Sequence, residues 1–147
     1  MLLRFPDGSS FATGSCQYNN APGTERASRI IVDVVIAGQL TTAVADTGVP
    51  CSMCSPEFGS FVGLTLHSGT NQSIDVHGIE ITGKLHDVEI DLIADVGNAL
   101  GLNIPILVPD DLGDVPNLGL RPYLGMEGCL GSINFAADFA HQTFYFG

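Results

Sequence analysis

The chain has 147 residues, a formal net charge of −11 at pH 7 and only five lysine or arginine residues. That length suits one domain with its own hydrophobic core. The scarcity of basic residues argues against nucleic acid as a partner, and the acid excess would repel an anionic membrane surface. The composition, with 18 glycines, no tryptophan and many short apolar runs, predicts an all-β protein rich in turns.

The N-terminal segment is predicted to be a flexible arm. Residues 1–27 contain many turn-forming residues and show little periodicity. Met1 to Phe5 is too short for the apolar part of a signal peptide, and the longest apolar stretch, Ile30 to Ile36, is interrupted by Asp33. We therefore expect a single domain over residues 28–147, no membrane partner, and a cytoplasmic location.

Alternating apolar residues predict strands through most of the remaining chain. Ser55-Pro56-Glu57 has the N-cap, the first-turn proline and the acidic residue that begin a helix, which is expected to end near Gly63. One or two helical turns are expected within Met126–Ile133. The expected strands are Ser28–Ile36, Leu40–Ala45, Cys51–Cys54, Ile74–Val76, Ile79–Ile81, Leu85–Ala94, Ile104–Val108, Asn134–Phe139 and Thr143–Phe146.

The most informative motif is Ala45-Asp46-Thr47-Gly48, at the end of a predicted strand. The apolar run before it brings a carboxylate to the edge of the core, where an unpaired charge is costly to bury. A second carboxylate at close range would be its partner, because two adjacent carboxylates share one proton and act together as acid and base. Asp46 would then supply the carboxylate and Thr47 a hydroxyl that bonds across a dimer axis. Gly48 would provide a tight turn that brings an amide N–H toward the carboxylate.

Two segments carry a family resemblance. Ile31–Pro56, IVDVVIAGQLTTAVADTGVPCSMCSP, resembles the active-site entry of the retropepsins, the retroviral-type aspartic proteases, and of their bacterial relatives. Tyr123-Leu124-Gly125 is similar to the family's apolar-apolar-Gly element, which crosses behind the catalytic loop. The resemblance implies a retropepsin-like closed β-barrel with one or two short helices. It also implies an aspartic endopeptidase that acts on a peptide or protein substrate, with Asp46, Thr47 and Gly48 as its catalytic residues and without a cofactor or metal.

The resemblance also implies a flap, the hairpin that closes over substrate in this family. Ile74–Val88 would form it, and the substrate-binding residues at its tip would be His77, Gly78, Ile79 and Glu80. The segment lacks the glycine-rich tip of the retropepsins and the tyrosine of the pepsins.

Only one Asp-Thr-Gly occurs in the chain. Pepsins carry two such motifs in chains more than twice as long. The resemblance therefore implies a homodimer with two-fold symmetry that pairs Asp46 with Asp46 of a second copy.

Other interpretations stay open. The domain could be a non-catalytic peptide-binding or assembly module on the same fold, or a β-barrel adaptor in which Asp-Thr-Gly is an ordinary turn. Ala94-Asp95-Val96-Gly97 resembles a weakened copy of the motif and could be a second catalytic loop, although it lacks the hydroxyl.

Cysteine and histidine give no sign of a different chemistry. The four cysteines are expected as reduced thiols, two or three of them in the core, with Cys51 and Cys54 on opposite faces of one strand. The four histidines have no metal-ligand spacing.

Overall fold

The computed structural model of the protein describes residues 3–20, 28–65, 67–76, 78–110 and 121–147. Within these ranges one short α-helix, α1 (Pro56–Phe61), and one 3₁₀ turn, Leu130–Ser132, accompany ten strands. The strands are β1 (Ala12–Asn20), β2 (Ser28–Ile36), β3 (Gln39–Ala45), β4 (Ser52–Met53), β5 (Thr70–Val76), β6 (Ile79–Leu92), β7 (Leu100–Pro109), β8 (Tyr123–Leu124), β9 (Phe135–Asp138) and β10 (Thr143–Phe146). The expectation of an all-β protein is confirmed. No helix in the described ranges has the length and apolar character to span a bilayer.

The strands hydrogen-bond in the order β5-β6-β7-β4-β8-β3-β2-β1-β10-β9, and β6 additionally pairs with β2. The β3–β8 and β4–β7 pairs are parallel, and the other pairs in the described chain are antiparallel. The short strands β4 and β8 thus lie between the longer hairpins. This arrangement brings the residues after β3 close to those after β8.

A tight turn sets the register of the β2–β3 hairpin. Its two central residues, Ala37 and Gly38, both have positive φ, 48° and 82°. Such a turn matches the right-handed twist of the strands it connects. The pairing then runs without interruption from Ile36 opposite Gln39 to Ile30 opposite Ala45. As a result, the residue that follows β3 lies beside the beginning of β2.

The flexible arm predicted for residues 1–27 is corrected over residues 12–20, which form strand β1. Its first half pairs with β10 and its second half with β2. Cys16 and Thr13 are buried, and a Cβ atom at Gly14 would lie 2.4 Å from the Ile93 carbonyl oxygen. The strand escapes prediction because its buried face carries few strongly apolar residues. Its position between two other strands stabilises it instead.

The hairpin after α1 also differs from expectation. Ile79–Ile81 and Leu85–Ala94 were predicted as separate strands, but β6 is one strand of 14 residues. Gly83 lies inside it, where a Cβ atom would come within 2.2 Å of the Val108 carbonyl oxygen. This glycine therefore permits close approach to β7 and does not interrupt the strand.

Apolar side chains pack in two clusters. The larger cluster contains buried apolar residues from β2, β6, β7 and β10, and the smaller one includes Val44, Met53 and Leu107. All four cysteines are free thiols, as expected, and all four are buried, where two or three were expected in the core. Cys51 belongs to the smaller cluster and Cys54 to the larger, so their side chains occupy opposite faces.

Candidate active site

Asp46 directly follows β3 and is half-buried. Its backbone N–H donates to the Leu124 carbonyl oxygen at 3.0 Å, and its own carbonyl accepts from Val49 N–H at 3.2 Å. The Gly48 N–H donates to Asp46 Oδ1 at 2.8 Å. The loop therefore orients the carboxylate with a backbone donor, the arrangement that the motif predicted for residues 46–48.

The Tyr123-Leu124-Gly125 element lies directly behind this loop. Strand β8 runs parallel to β3, with Tyr123 opposite Val44 and Leu124 opposite Ala45. A Cβ atom at position 125 would lie 2.6 Å from the Cys51 carbonyl carbon, so only glycine permits this approach. The two sequence motifs, separated by more than 70 residues in the chain, are in direct hydrogen-bonded contact.

A buried serine ties this element to the strand after the loop. Ser52 Oγ is fully buried and accepts a hydrogen bond from Gly125 N–H at 2.9 Å.

We expect Ser52→Ala to lower the free energy of unfolding by about 1–3 kcal/mol, because the Gly125 N–H would lose its acceptor in the core. Urea denaturation measures this loss. The control is Ser60→Ala on the exposed side of α1, where a change of more than about 0.5 kcal/mol is not expected. Equal losses of unfolding free energy in both variants would show that the buried hydrogen bond does not contribute more to stability than the exposed Ser60 side chain.

Asp46 and Thr47 line a cavity of about 210 Å³ whose walls are partly aromatic. Tyr18 and Phe135 contribute rings, and Arg29 contributes a guanidinium group. Thr47 is exposed. The cavity therefore combines a carboxylate, a hydroxyl and a cation with apolar walls.

Arg29 and Tyr123 form a polar pair next to Asp46. The Arg29 side chain hydrogen-bonds the Tyr123 hydroxyl, while its Nε has no hydrogen-bond partner among the described residues. Burial raises the pKa of Tyr123 above its usual range, and the nearby Arg29 charge opposes that rise. Sequence analysis missed Arg29, although the two-residue turn at 37–38 was a usable signal. Continued by one pair, the hairpin register places Arg29 opposite Asp46.

A second cavity, of about 720 Å³, lies against Thr47 and Gly48. Asp75 reaches it from β5, and Met126 and Glu127 reach it from the loop after β8. The Gly78 N–H donates to Asp75 Oδ1 at 2.9 Å and thereby orients that carboxylate. Sequence analysis missed these three side chains, because they carry no motif and only the fold brings them to the loop.

Of the predicted flap residues, Gly78 directly precedes β6, and Ile79 and Glu80 are the first two residues of that strand; all three are exposed. His77 lies outside the described residues. Among the described residues of the β5–β6 hairpin, Asp75 lines the cavity beside Thr47 and Gly48. The substrate-binding role predicted for the tip remains a prediction.

Asp95, in the weakened copy of the motif, has a structural partner. Its carboxylate accepts a hydrogen bond from Ser15 Oγ at 2.9 Å, and its N–H donates to the Thr13 carbonyl oxygen at 2.7 Å. Both contacts hold β1 in place. Attachment of β1 thus accounts for this segment, and a second catalytic loop is not needed to explain it.

The cysteines are poor candidates for nucleophiles. Burial raises the pKa of Cys54 to about 12 and, with a smaller contribution from the Glu127 charge, that of Cys51 to about 11. Burial likewise raises the pKa of Cys129 to about 11. These three thiols are therefore protonated at neutral pH, and a protonated thiol is a weak nucleophile.

Comparison with known proteins supports the fold of the chain but not a specific activity. No family model matches the sequence, and no curated protein matches it. Among solved structures, the chain is similar to a retropepsin-like aspartic protease from Rickettsia conorii, with a TM-score of 0.59 and 17% sequence identity. The match covers 93% of this chain and 92% of that one. The chain therefore has a fold like that of a retropepsin-like aspartic protease.

Proposed function

We propose that the protein is an aspartic endopeptidase, in which Asp46 and Asp46 of a second copy together activate a water molecule. The observation that carries this proposal is the position of Asp46. Its carboxylate accepts the Gly48 N–H, its backbone is bonded to β8, and it lines a cavity together with Thr47. Its location in a fold similar to a retropepsin-like aspartic protease adds support.

The proposed chemistry needs one proton shared by two carboxylates. The charged member takes a proton from the water that lies between them, and the resulting oxygen nucleophile attacks the peptide carbonyl. The neutral member donates its proton to the carbonyl oxygen. In the second step the carboxyl group that took the proton from water donates it to the leaving nitrogen. The other carboxylate takes a proton from one hydroxyl group of the tetrahedral intermediate, the C–N bond breaks, and the pair again holds one shared proton. Each carboxylate thus acts once as acid and once as base, without a cofactor.

The homodimer is part of this proposal, because one chain offers a single Asp-Thr-Gly. The surface around Asp46 suits a second copy. Tyr18 and Phe139 are 60% and 46% exposed, and their rings stack with centroids 4.9 Å apart. Tyr18 also lines the cavity that contains Asp46. Exposed aromatic side chains are enriched in protein interfaces, so we place this aromatic pair at the two-fold contact.

The finer architecture follows from the same proposal. The pairing of β6 with β2, in addition to its pairing with β7, supports a closed barrel made of β2, β6, β7, β4, β8 and β3. The β5–β6 hairpin would then be the flap. An extended peptide would lie between the flap and the Asp46 loop and pair its backbone groups like an added strand.

The direct test is hydrolysis of an unfolded protein such as casein by the purified full chain, with and without a pepstatin-type inhibitor. Inhibited cleavage supports the protease. Saturable binding of peptides without cleavage at any pH would support the non-catalytic module instead.

The pH profile is a further prediction. We expect hydrolysis to be fastest at mildly acid pH and to decline through neutrality, because loss of the shared proton leaves two negative charges and no acid for the carbonyl oxygen. Initial rates measured across a pH series, with protein stability followed in the same buffers, give the profile. A rate that still rises above neutral pH would contradict the shared-proton mechanism.

A further inference from the structure

The larger cavity beside the Asp46 loop has a distinct charge. Thr47 and Gly48 form part of its wall, so a peptide at the loop would have side chains within reach of it. Asp75 and Glu127 line the same cavity from two separate segments, and both are exposed. Among the described residues, none that line it is basic. The cavity therefore presents two carboxylates to whatever occupies it.

These carboxylates have no basic partner within the described chain, where the salt bridge found joins Asp138 and His141 instead. The described lysine and arginine side chains have hydrogen-bond partners elsewhere: Arg4 with the Gly8 carbonyl, Arg29 with the Tyr123 hydroxyl, Lys84 with the Asn71 amide oxygen and Arg121 with the Thr42 hydroxyl. No lysine or arginine of the described chain therefore neutralises Asp75 and Glu127, and both carboxylates are open to a cation from a bound molecule.

We propose that this cavity is a substrate subsite for a lysine or arginine side chain; the inference rests on the proposed peptidase function. Met126 and Pro50 supply apolar surface along the same cavity for the methylene stem. Asp75 and Glu127 receive the charged head. Long basic side chains bind in this divided manner, with the stem on apolar atoms and the charge at a polar rim.

The preference for lysine and arginine would depend on the two carboxylates of this cavity. It can therefore be distinguished from the general attraction of basic peptides to an acidic protein. A net charge of −11 attracts any basic peptide, whatever cavity its side chain enters. Removal of one charge from the cavity should therefore lower kcat/KM for basic peptides more than removal of one charge from a distant surface. Asp87 and Glu89 provide that distant surface, because both are exposed on β6 and neither lines the cavity.

The experiment uses peptides with one cleavable core, in which a single position at a time is varied among lysine, arginine, leucine and glutamate. Wild type is compared with Asp75→Asn and Glu127→Gln, and with the control variants Asp87→Asn and Glu89→Gln. At the position that enters the cavity, we expect lysine and arginine peptides to be preferred over leucine. We expect kcat/KM for these basic peptides to fall about two- to fivefold in each cavity variant and to change little in the controls. The leucine peptide should lose less than the basic peptides in the two cavity variants, and the two control variants should cleave it as wild type does.

Two results would overturn the inference while the peptidase stands: cleavage of leucine and lysine peptides at equal rates, or equal losses in the cavity and control variants. Absence of cleavage by the wild-type protein would contradict the proposed peptidase function. Fluorescence anisotropy of labelled peptides on Asp46→Asn then decides the subsite independently. The subsite is supported if lysine peptides bind more tightly than leucine peptides and Asp75→Asn weakens that binding. Equal binding of lysine, leucine and glutamate peptides would contradict it.

Discussion

Asp46→Asn should reduce peptide hydrolysis by at least about a thousandfold, because an amide neither takes a proton from water nor shares one with a second carboxylate. The substitution isolates chemistry from folding. The Asn side-chain oxygen can still accept the Gly48 N–H that Asp46 Oδ1 accepts at 2.8 Å. The loop should therefore keep its shape. Initial rates on casein and on a defined peptide measure the loss, and thermal unfolding checks that the fold is retained.

Asp33→Asn is the matched control for this variant. It makes the same chemical change on the adjacent strand β2, where the side chain is exposed and pairs across from Thr42. We expect its activity to stay close to that of wild type. Retention of hydrolysis in Asp46→Asn would refute the catalytic assignment, and equal loss in both variants would point to net charge and not to the dyad.

The second large effect is expected at the aromatic pair. Tyr18→Ser combined with Phe139→Ser should raise the dimer dissociation constant by roughly thirtyfold or more, the scale of an interface hot spot. Because each active site needs two copies, hydrolysis at a fixed low protein concentration should fall together with the dimer fraction. Sedimentation velocity measures the dimer, and specific activity over a dilution series measures its consequence. Both side chains are largely exposed, so the monomer should remain folded.

The control is Phe61→Ser at the end of α1. Phe61 is 70% exposed but lines neither of the cavities at the Asp46 loop. Its removal should leave dimerisation and activity unchanged. A wild-type chain that is monomeric and fully active would contradict the shared dyad. An active dimer that tolerates loss of Tyr18 and Phe139 would place the contact on another surface.

Local residue chemistry was enough to predict the centre of the candidate site. Asp46 follows an apolar strand and precedes Thr47-Gly48, so the position of the carboxylate at a strand end could be inferred from alternation and turn preference alone. The two strands of the hairpin before it were also predicted, with a turn at residues 37–39. The observed turn has two residues, Ala37 and Gly38, and it fixes the pairing of every residue in both strands. Followed to the beginning of β2, that register places Arg29 beside Asp46.

Other parts of the molecule gave no such local signal. Strand β1 contains Thr13 and Gly14 at buried positions, and its pairing with β10 depends on residues more than 120 positions away. Asp75 and Glu127 likewise belong to unrelated segments and meet at one cavity only after β5 and β8 have been placed. Periodicity describes a segment, but it does not say which distant segment will be its neighbour.

The sequence by itself determined the all-β class, the Asp-Thr-Gly loop and the glycine at position 125, because each depends on backbone preference or on a short apolar pattern. The tertiary structure alone decided how β8 crosses behind the loop, which aromatic rings stay exposed beside Asp46, and which charges line the larger cavity. Those features arise from contacts between segments far apart in the chain. Their free energy comes from the packing and hydrogen bonding of the whole sheet, and no local stretch of residues encodes them.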